Sequence, residues 1–395
     1  MKNKNSEFDR LTDRRGTYSY KWAVAEGELP MWVADMDFET APAIRAALMK
    51  RAAHGIFGYS ELPKEYFTAL ADYRQRRDGY RPDPAEMVYS NGVVAAISSM
   101  VRSLTAPGES VLIEAPVYNI FYNSILNNGR RVLSSDLVYE NGGYRVDFSD
   151  LEEKLARPET TLMLLCNPHN PVGRVWKSEE LAMIGELCKR HGVIVVSDEI
   201  HCDIIRPGVH FTPFAAASET CKEISVSCLS ASKTFNIAGL QSAALVISDP
   251  ALRYRVWRAL NNDEVGEPNC FSMTACIAAY TECDEWVAGL VDYLFENRAV
   301  AEEYIARRLP MLRTVRADAT YLCWIDISEI ESDSVRFTER VRAATGLYLS
   351  DGAEYGECGR SFVRMNLATQ RERLFDGLDR LYRAVLEIYG GPEAK

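Results

Sequence analysis

TLMLLCNPHNPVGRVWKSEELAMIGELCKRHGVIVVSDEIH (161–201) reads as strand, loop, helix and strand. The runs TLMLLC (161–166) and VIVVSDE (193–199) are nearly continuous in apolar residues, the pattern of strands buried on both faces. Between them Ser178 is the expected N-cap, and Glu179 and Glu180 suit the positive end of a first turn. Leu181, Ile184, Leu187 and Cys188 form an apolar stripe, and Gly192 is the stop. A strand, a helix and a second strand in this order make one unit of a parallel sheet.

Further strand-sized runs lie on either side: MVYSN (87–91), SVLIE (110–114), ISVSC (224–228) and AALVIS (243–248). The chain is therefore expected to be α/β, with a large domain built on a mainly parallel sheet covered by helices. Beyond residue 285 the order changes to helix, strand and helix. It ends in RERLFDGLDRLYRAVLEIYGG (371–391), where Leu374, Leu378, Leu381, Val385 and Ile388 recur at helical spacing. This predicts a smaller α+β domain. The expected division is an N-terminal segment, 1–48, packing with the small domain, a large domain, 49–287, and a small C-terminal domain, 288–395.

The length of 395 residues suits two or three domains, and the composition is that of a globular protein, 47% hydrophobic and 26% charged. A net charge of −11 disfavours nucleic acid and anionic membranes as partners, because both need clustered positive charge. The ten cysteines include no CxxC pair, and the N-terminus lacks the apolar run of a secretion signal. Reduced thiols in a cytoplasmic protein are expected. No apolar stretch approaches a membrane span, and the five histidines have no metal-ligand spacing, so no metal site is expected.

Four elements carry chemistry. SCLSASKTFNIAGL (227–240) puts Lys233 just after a strand, where open α/β sheets bind ligands. A lysine amine there can form an imine with an aldehyde and act as a base once desolvation lowers its pKa. CNPHNPVG (166–173) is a loop set by two Asn-Pro steps, with Asn170 able to donate to a ring oxygen. In SDEIH (197–201), Asp198 ends a buried strand and needs a partner, for which a protonated pyridine nitrogen is suited. SNGVVAAISSM (90–100) ends a strand at Asn91-Gly92 and opens a helix whose free N–H groups favour a phosphate. Each element is modest alone, and all four are expected to converge at one edge of the sheet.

Through NPxNPxG, the aspartate of SDEI and the lysine of SxSK, the chain resembles the fold-type I pyridoxal 5′-phosphate enzymes, the aspartate aminotransferase superfamily. Within it the chain is most similar to the MalY/PatB-type cystathionine β-lyases, or C–S lyases. The similarity runs through RRGTYSYKW (14–22), PMWVADMDF (30–38), HGIFGY (54–59), NGVVAAIS (91–98), PVYNIF (116–121), CNPHNPVGRVW (166–176), SDEIHCDII (197–205), ASKTFNIAGLQ (231–241) and FVRMNLA (362–368).

The resemblance implies that Lys233 is the Schiff-base lysine and general base, that Asp198 keeps the pyridine nitrogen protonated, and that Asn170 bonds the ring hydroxyl. It implies that Tyr118 stacks on the ring, and that backbone amides of Gly92 and Val93, with Ser230 and Ser232, hold the phosphate. Arg364 would grip the substrate α-carboxylate, and Tyr59 would reach the phosphate of a neighbouring subunit, which implies a homodimer with shared sites. His201 joins the cofactor-binding set, standing where aminotransferases usually have tyrosine. Gln241 stands where they usually have a phosphate-binding arginine, and is not counted in the site.

The activity implied is β-elimination from cystathionine or another cysteine S-conjugate, giving pyruvate, ammonia and a thiol. The alternative within the same fold is an aminotransferase acting on an amino acid and a 2-oxo acid. Ser230-Ala231-Ser232-Lys233 also satisfies the SxxK pattern of β-lactamases, but the SDN and KTG companions are missing. A binding protein that retains the fold without turnover is a third reading, against which the set of Lys233, Asp198, Asn170 and Arg364 argues. Core packing is the expected role of Trp22, Trp32, Phe57 and Trp176, and Cys166 and Cys202 are expected to behave as small apolar residues.

Overall fold

The computed structural model describes residues 7–390. Its main sheet has seven strands: β1 (Met87–Ser90), β2 (Ser110–Ile113), β3 (Arg131–Ser134), β4 (Thr160–Cys166), β5 (Ile194–Asp198), β6 (Ser225–Leu229) and β7 (Ala243–Val246). They lie in the order β1-β7-β6-β5-β4-β2-β3. The pairs from β6 to β3 are parallel, whereas β7 runs antiparallel to both β6 and β1. The mainly parallel sheet is as the apolar runs predict, and the reversal of β7 has a local cause. Residues 230–242 turn back on themselves around Lys233 and Asn236 instead of forming a crossover helix, so the chain re-enters the sheet in the opposite direction. The strand β3 has no continuous apolar run because it is an edge strand, with Arg131 exposed and its other residues only partly buried.

The helices form where the periodicity places them. α1 (Val93–Leu104) buries Val93, Ala96, Ile97, Met100, Val101 and Leu104 against the sheet, each worth about 1.5–3 kcal/mol for the larger side chains. The helix after β4 runs Ser178–His191, with Lys177 rather than Ser178 at the N-cap position. Glu180 reaches back to accept from Lys177 N at 2.9 Å, so a serine oxygen is not required there. Gly192, at φ 70°, ends it.

A second, antiparallel sheet is built from β8 (Arg313–Thr314), β9 (Leu322–Asp326), β10 (Ser350–Asp351) and β11 (Phe362–Asn366), in the order β8-β9-β11-β10. The terminal helix Arg371–Tyr389 packs on it through Leu374, Leu378, Leu381 and Val385, the stripe read from the sequence. The N-terminal Leu29–Pro30 pairs in parallel with Leu347–Tyr348, and Trp22 and Met31 join the same buried cluster. The 25-residue helix Asp284–Arg308 touches both regions, contributing Trp286 and Leu290 to the cluster of the first and Ala301 and Ile305 to that of the second.

Two of the four aromatics read as core residues differ. Trp22 and Trp176 are buried, but Phe57 is 56% exposed and Trp32 is half-buried. Phe57 meets Phe271 and the Arg51 guanidinium, in a loop that also exposes Ile56 and Tyr59. Trp32 stacks on Tyr348 at 4.7 Å at the protein surface.

Candidate active site

A cavity of about 280 Å³ opens beyond the carboxyl ends of the parallel strands. Gly92, Val93, Tyr118, Asn170, Asp198, His201, Ser230, Ser232 and Lys233 all line it, and so bring together the four sequence elements. Each arrives at a strand end: Gly92 follows β1, Asn170 follows β4, Asp198 closes β5, and Ser230 follows β6. Register puts Asp198 between Cys166 of β4 and Cys228 of β6.

Lys233 is half-buried, and its Nζ donates to the Ala34 carbonyl at 2.7 Å. The same carbonyl accepts from Tyr321 Oη at 2.9 Å. Desolvation pushes the amine down to about 8, against the attraction of Asp35 and Asp198 and with the repulsion of Arg364. Burial pushes the Asp198 carboxyl up to about 6, opposed by the Ile200 N–H, which donates to Oδ1 at 3.1 Å, and by Lys233. His201 is pushed down to about 3 by burial and by the charges of Lys233 and Arg364, so its imidazole is neutral. Its Nδ1 is buried without a hydrogen-bond partner among the described residues.

Asn170 is held from both sides. Its N–H donates to Cys166 Sγ at 3.3 Å, and its Oδ1 accepts from Arg364 Nη1 at 3.3 Å. Cys166 therefore lines the cavity and shapes the loop as well as filling space. Arg364 sits on β11 opposite Ser350 of β10, and its Nη2 donates to the Trp32 carbonyl at 2.8 Å and lies 3.4 Å from Ser350 Oγ. Arg364 is 5% exposed, and its Nε has no hydrogen-bond partner among the described residues.

Gly92, at φ 137°, is the N-cap of α1 and brings no side-chain cap; it lines the cavity with Val93, Val94 and Ala95, the first turn, whose N–H groups have no partner within the helix. A residue with a Cβ is strained at that φ. Ser230 Oγ donates to the Ser242 carbonyl at 2.6 Å and accepts from Ser232 N at 3.1 Å, which commits it to shaping the turn. Tyr59 is fully exposed and does not line the cavity of its own chain.

Several lining residues were missed by the sequence reading. Ala34 contributes a backbone carbonyl, a group that has no sequence signature, although it lies inside the quoted motif PMWVADMDF. Gln241, excluded on its residue type, does line the cavity, at φ 50° in the turn before β7. Ser242 lines it as well, and Tyr321, the residue before β9, supports it.

The residues fit pyridoxal 5′-phosphate. An amine of lowered pKa faces a buried carboxylate, an uncapped helix N-terminus offers phosphate donors, and the buried Nδ1 of His201 and Nε of Arg364 stand ready for partners.

Comparison with known proteins agrees. The profile of the family described as aminotransferase class I and II matches residues 29–381. Cystathionine beta-lyase PatB of Bacillus subtilis (strain 168) is 41% identical over 385 residues, which cover 96% of this chain and 99% of that protein. Protein MalY of Escherichia coli (strain K12) is 34% identical, covering 97% and 99%. Among solved structures, the PLP-bound C–S lyase from Staphylococcus hominis superposes with a TM-score of 0.90 at 31% identity, over 96% of this chain and 99% of that one.

Proposed function

The chain belongs to the aminotransferase class I and II family, and we infer that within it the protein is a carbon–sulfur β-lyase dependent on pyridoxal 5′-phosphate. It cleaves L-cystathionine or related cysteine S-conjugates to pyruvate, ammonia and a thiol. The observation that carries this is the meeting of Lys233, Asp198 and Asn170 around one cavity, in a chain so similar along its whole length to a cystathionine β-lyase.

When bound, the cofactor supplies an electron sink for charge developing at the substrate Cα. In the proposed assignment Arg364 binds the substrate α-carboxylate through its planar fork, with the Trp32 carbonyl and Asn170 Oδ1 fixing the fork's orientation. Lys233 Nζ takes the Cα proton. Its pKa near 8 leaves a useful neutral fraction at physiological pH, which an ordinary lysine would lack. With the cofactor bound, the Asp198 carboxylate would hold a proton on the ring nitrogen, and that cation would stabilise the carboxylate which burial alone pushes up. Asn170 would donate its amide to the ring hydroxyl oxygen, Tyr118 would cover the ring, and His201 would join the same set as a neutral imidazole. The Gly92 and Val93 amides would hold the phosphate with Ser232, while Ser230 would act chiefly by ordering Ser232. Departure of the thiolate from Cβ completes the elimination, and water converts the three-carbon remainder to pyruvate and ammonia.

The protein is proposed to work as a cytoplasmic homodimer. The fully exposed Tyr59, in a loop that also presents Ile56 and Phe57, supports a role across a subunit interface. Free thiols at all ten cysteines, and no helix among the described residues long and apolar enough to cross a membrane, are compatible with that location. The proposed domain division is 1–48, 49–287 and 288–395, supported by two separate sheets; the last boundary falls within the helix Asp284–Arg308.

The deciding assay is release of pyruvate and free thiol from L-cystathionine by PLP-loaded protein without a 2-oxo acid, beside a Lys233→Ala control. Equal release of both products, lost in the control, is expected. Amino transfer that requires an added 2-oxo acid would instead assign the aminotransferase activity. Sedimentation of wild type and Tyr59→Ala, together with cofactor retention on dialysis, tests the shared site.

A further inference from the structure

Lys233 lies in a turn, outside any helix or strand. Across residues 232–236 the chain is closed by the hydrogen bonds from Phe235 N to Ala231 O and from Ile237 N to Ser232 O, both 3.0 Å. The amine is aimed by its own bond to the Ala34 carbonyl and by whatever anchors this turn. The next residue, Thr234, is fully buried, and its Oγ1 donates to Asp203 Oδ2 at 2.8 Å. Asp203 Oδ1 accepts from Arg74 Nη1 at 2.7 Å, and Arg77 Nε lies 3.7 Å from the same oxygen. Arg74 also pairs with Asp78. Arg74 and Asp203 are 3% and 4% exposed, and neither they nor Thr234 line the cavity.

Ion pairs buried to this degree add little net stability over apolar packing, so their presence calls for another explanation. Their placement provides one. Asp203 lies five residues after Asp198 and bonds the residue that follows Lys233, so it ties the segment bearing the proposed carboxylate to the turn bearing the proposed amine. Although burial alone would raise it, Arg74 and Arg77 hold the Asp203 carboxyl below the usual carboxylate range and keep it a charged acceptor for Thr234.

We propose that Arg74, Asp203 and Thr234 form a positioning network for Lys233, holding the 233–234 peptide so that the amine stays directed at the Ala34 carbonyl and the cavity. Thr234 and Asp203 are positioning residues and touch neither substrate nor cofactor. The proposal rests on Lys233 being the reactive amine.

The test replaces Thr234 with valine, which keeps the shape and removes the hydroxyl, and with serine, which restores it. In the loaded enzyme Thr234→Val is expected to lower kcat on the order of 10-fold with KM changed less than about 2-fold, since a small misplacement of a reacting group is costly. In the full-length chain freed of cofactor, competitive acetylation read by mass spectrometry gives the titration midpoint of Lys233. It should rise by about one pH unit in Thr234→Val as the amine loosens toward water. Asp35 and Asp198, which favour the charged amine, and Arg364, which opposes it, are unchanged in the variant. Thr234→Ser should restore both readouts. A Thr234→Val protein that is less stable yet keeps both the wild-type midpoint and kcat would overturn the proposal and leave the network merely structural. If valine prevents folding, Thr234→Ala supplies the same two readouts. Full activity in Lys233→Ala would fail the assignment of Lys233 itself, an outcome separate from either result at Thr234.

Discussion

Replacing Lys233 with methionine should change the pH dependence of folding stability in the cofactor-free protein, in a direction opposite to that of an ordinary salt-bridged lysine. The buried amine is pushed from 10.5 down to about 8. At about 1.4 kcal/mol per pH unit this is a penalty of ~3 kcal/mol for folding with a protonated amine. Because the side chain is half-buried at a cavity wall, screening brings the figure to ~2 kcal/mol. The folded pKa lies below the unfolded one, so the penalty is fully present below about pH 8 and disappears as pH rises toward 10.5. Methionine carries no such penalty. It loses the bond to the Ala34 carbonyl, worth about 1 kcal/mol, but that carbonyl keeps Tyr321 as a donor, and the loss shifts the comparison by a nearly constant amount. Urea unfolding of both cofactor-free proteins from pH 7 to pH 10 should therefore show the stability of Lys233→Met, relative to wild type, falling by ~1.5 kcal/mol across that range, with the rest lost above pH 10. A difference that is flat in pH, or that grows in favour of the variant as pH rises, would refute the desolvated-amine account.

Three further outcomes are expected. Asp198→Asn removes the carboxylate proposed to keep the ring nitrogen protonated, and should lower kcat for pyruvate release by ~10²–10³-fold, the cost of losing one preorganised electrostatic partner; a loss below tenfold would argue against that role. Arg364→Lys replaces a two-pronged donor with a point charge and should reduce kcat/KM for cystathionine by ~10–100-fold, and the effect should be absent for a substrate whose α-carboxylate is already amidated. Gly92→Ala forces a Cβ onto φ 137° at the start of α1, costing ~1–3 kcal/mol of stability and weakening retention of PLP in equilibrium dialysis; unchanged retention would separate that turn from the phosphate site.

Much of this was legible in the amino-acid order. The apolar runs that became β4 and β5 are buried on both faces and so carry an uninterrupted signal, and the 3.6-residue stripe of the terminal helix reported its buried face directly. Asp198, Asn170 and Lys233 could be placed because each follows such a strand, and strand ends of an open α/β sheet point to one edge. The edge strand β3, with Arg131 exposed and its other residues only partly covered, gave no comparable signal. Phe57 was misread as core because residue type cannot tell a buried aromatic from one presented on a surface loop.

Tertiary structure alone decided the rest. The Ala34 carbonyl reaches Lys233 from a distance of 199 residues along the chain, and Tyr321 reaches the same oxygen from just before β9. Backbone groups are identical at every position, so no pattern of side chains announces which carbonyl will face the Lys233 amine. The lowered pKa of Lys233 likewise belongs to its surroundings, because desolvation depends on everything folded around the amine, whereas the lysine itself is chemically the same wherever it occurs.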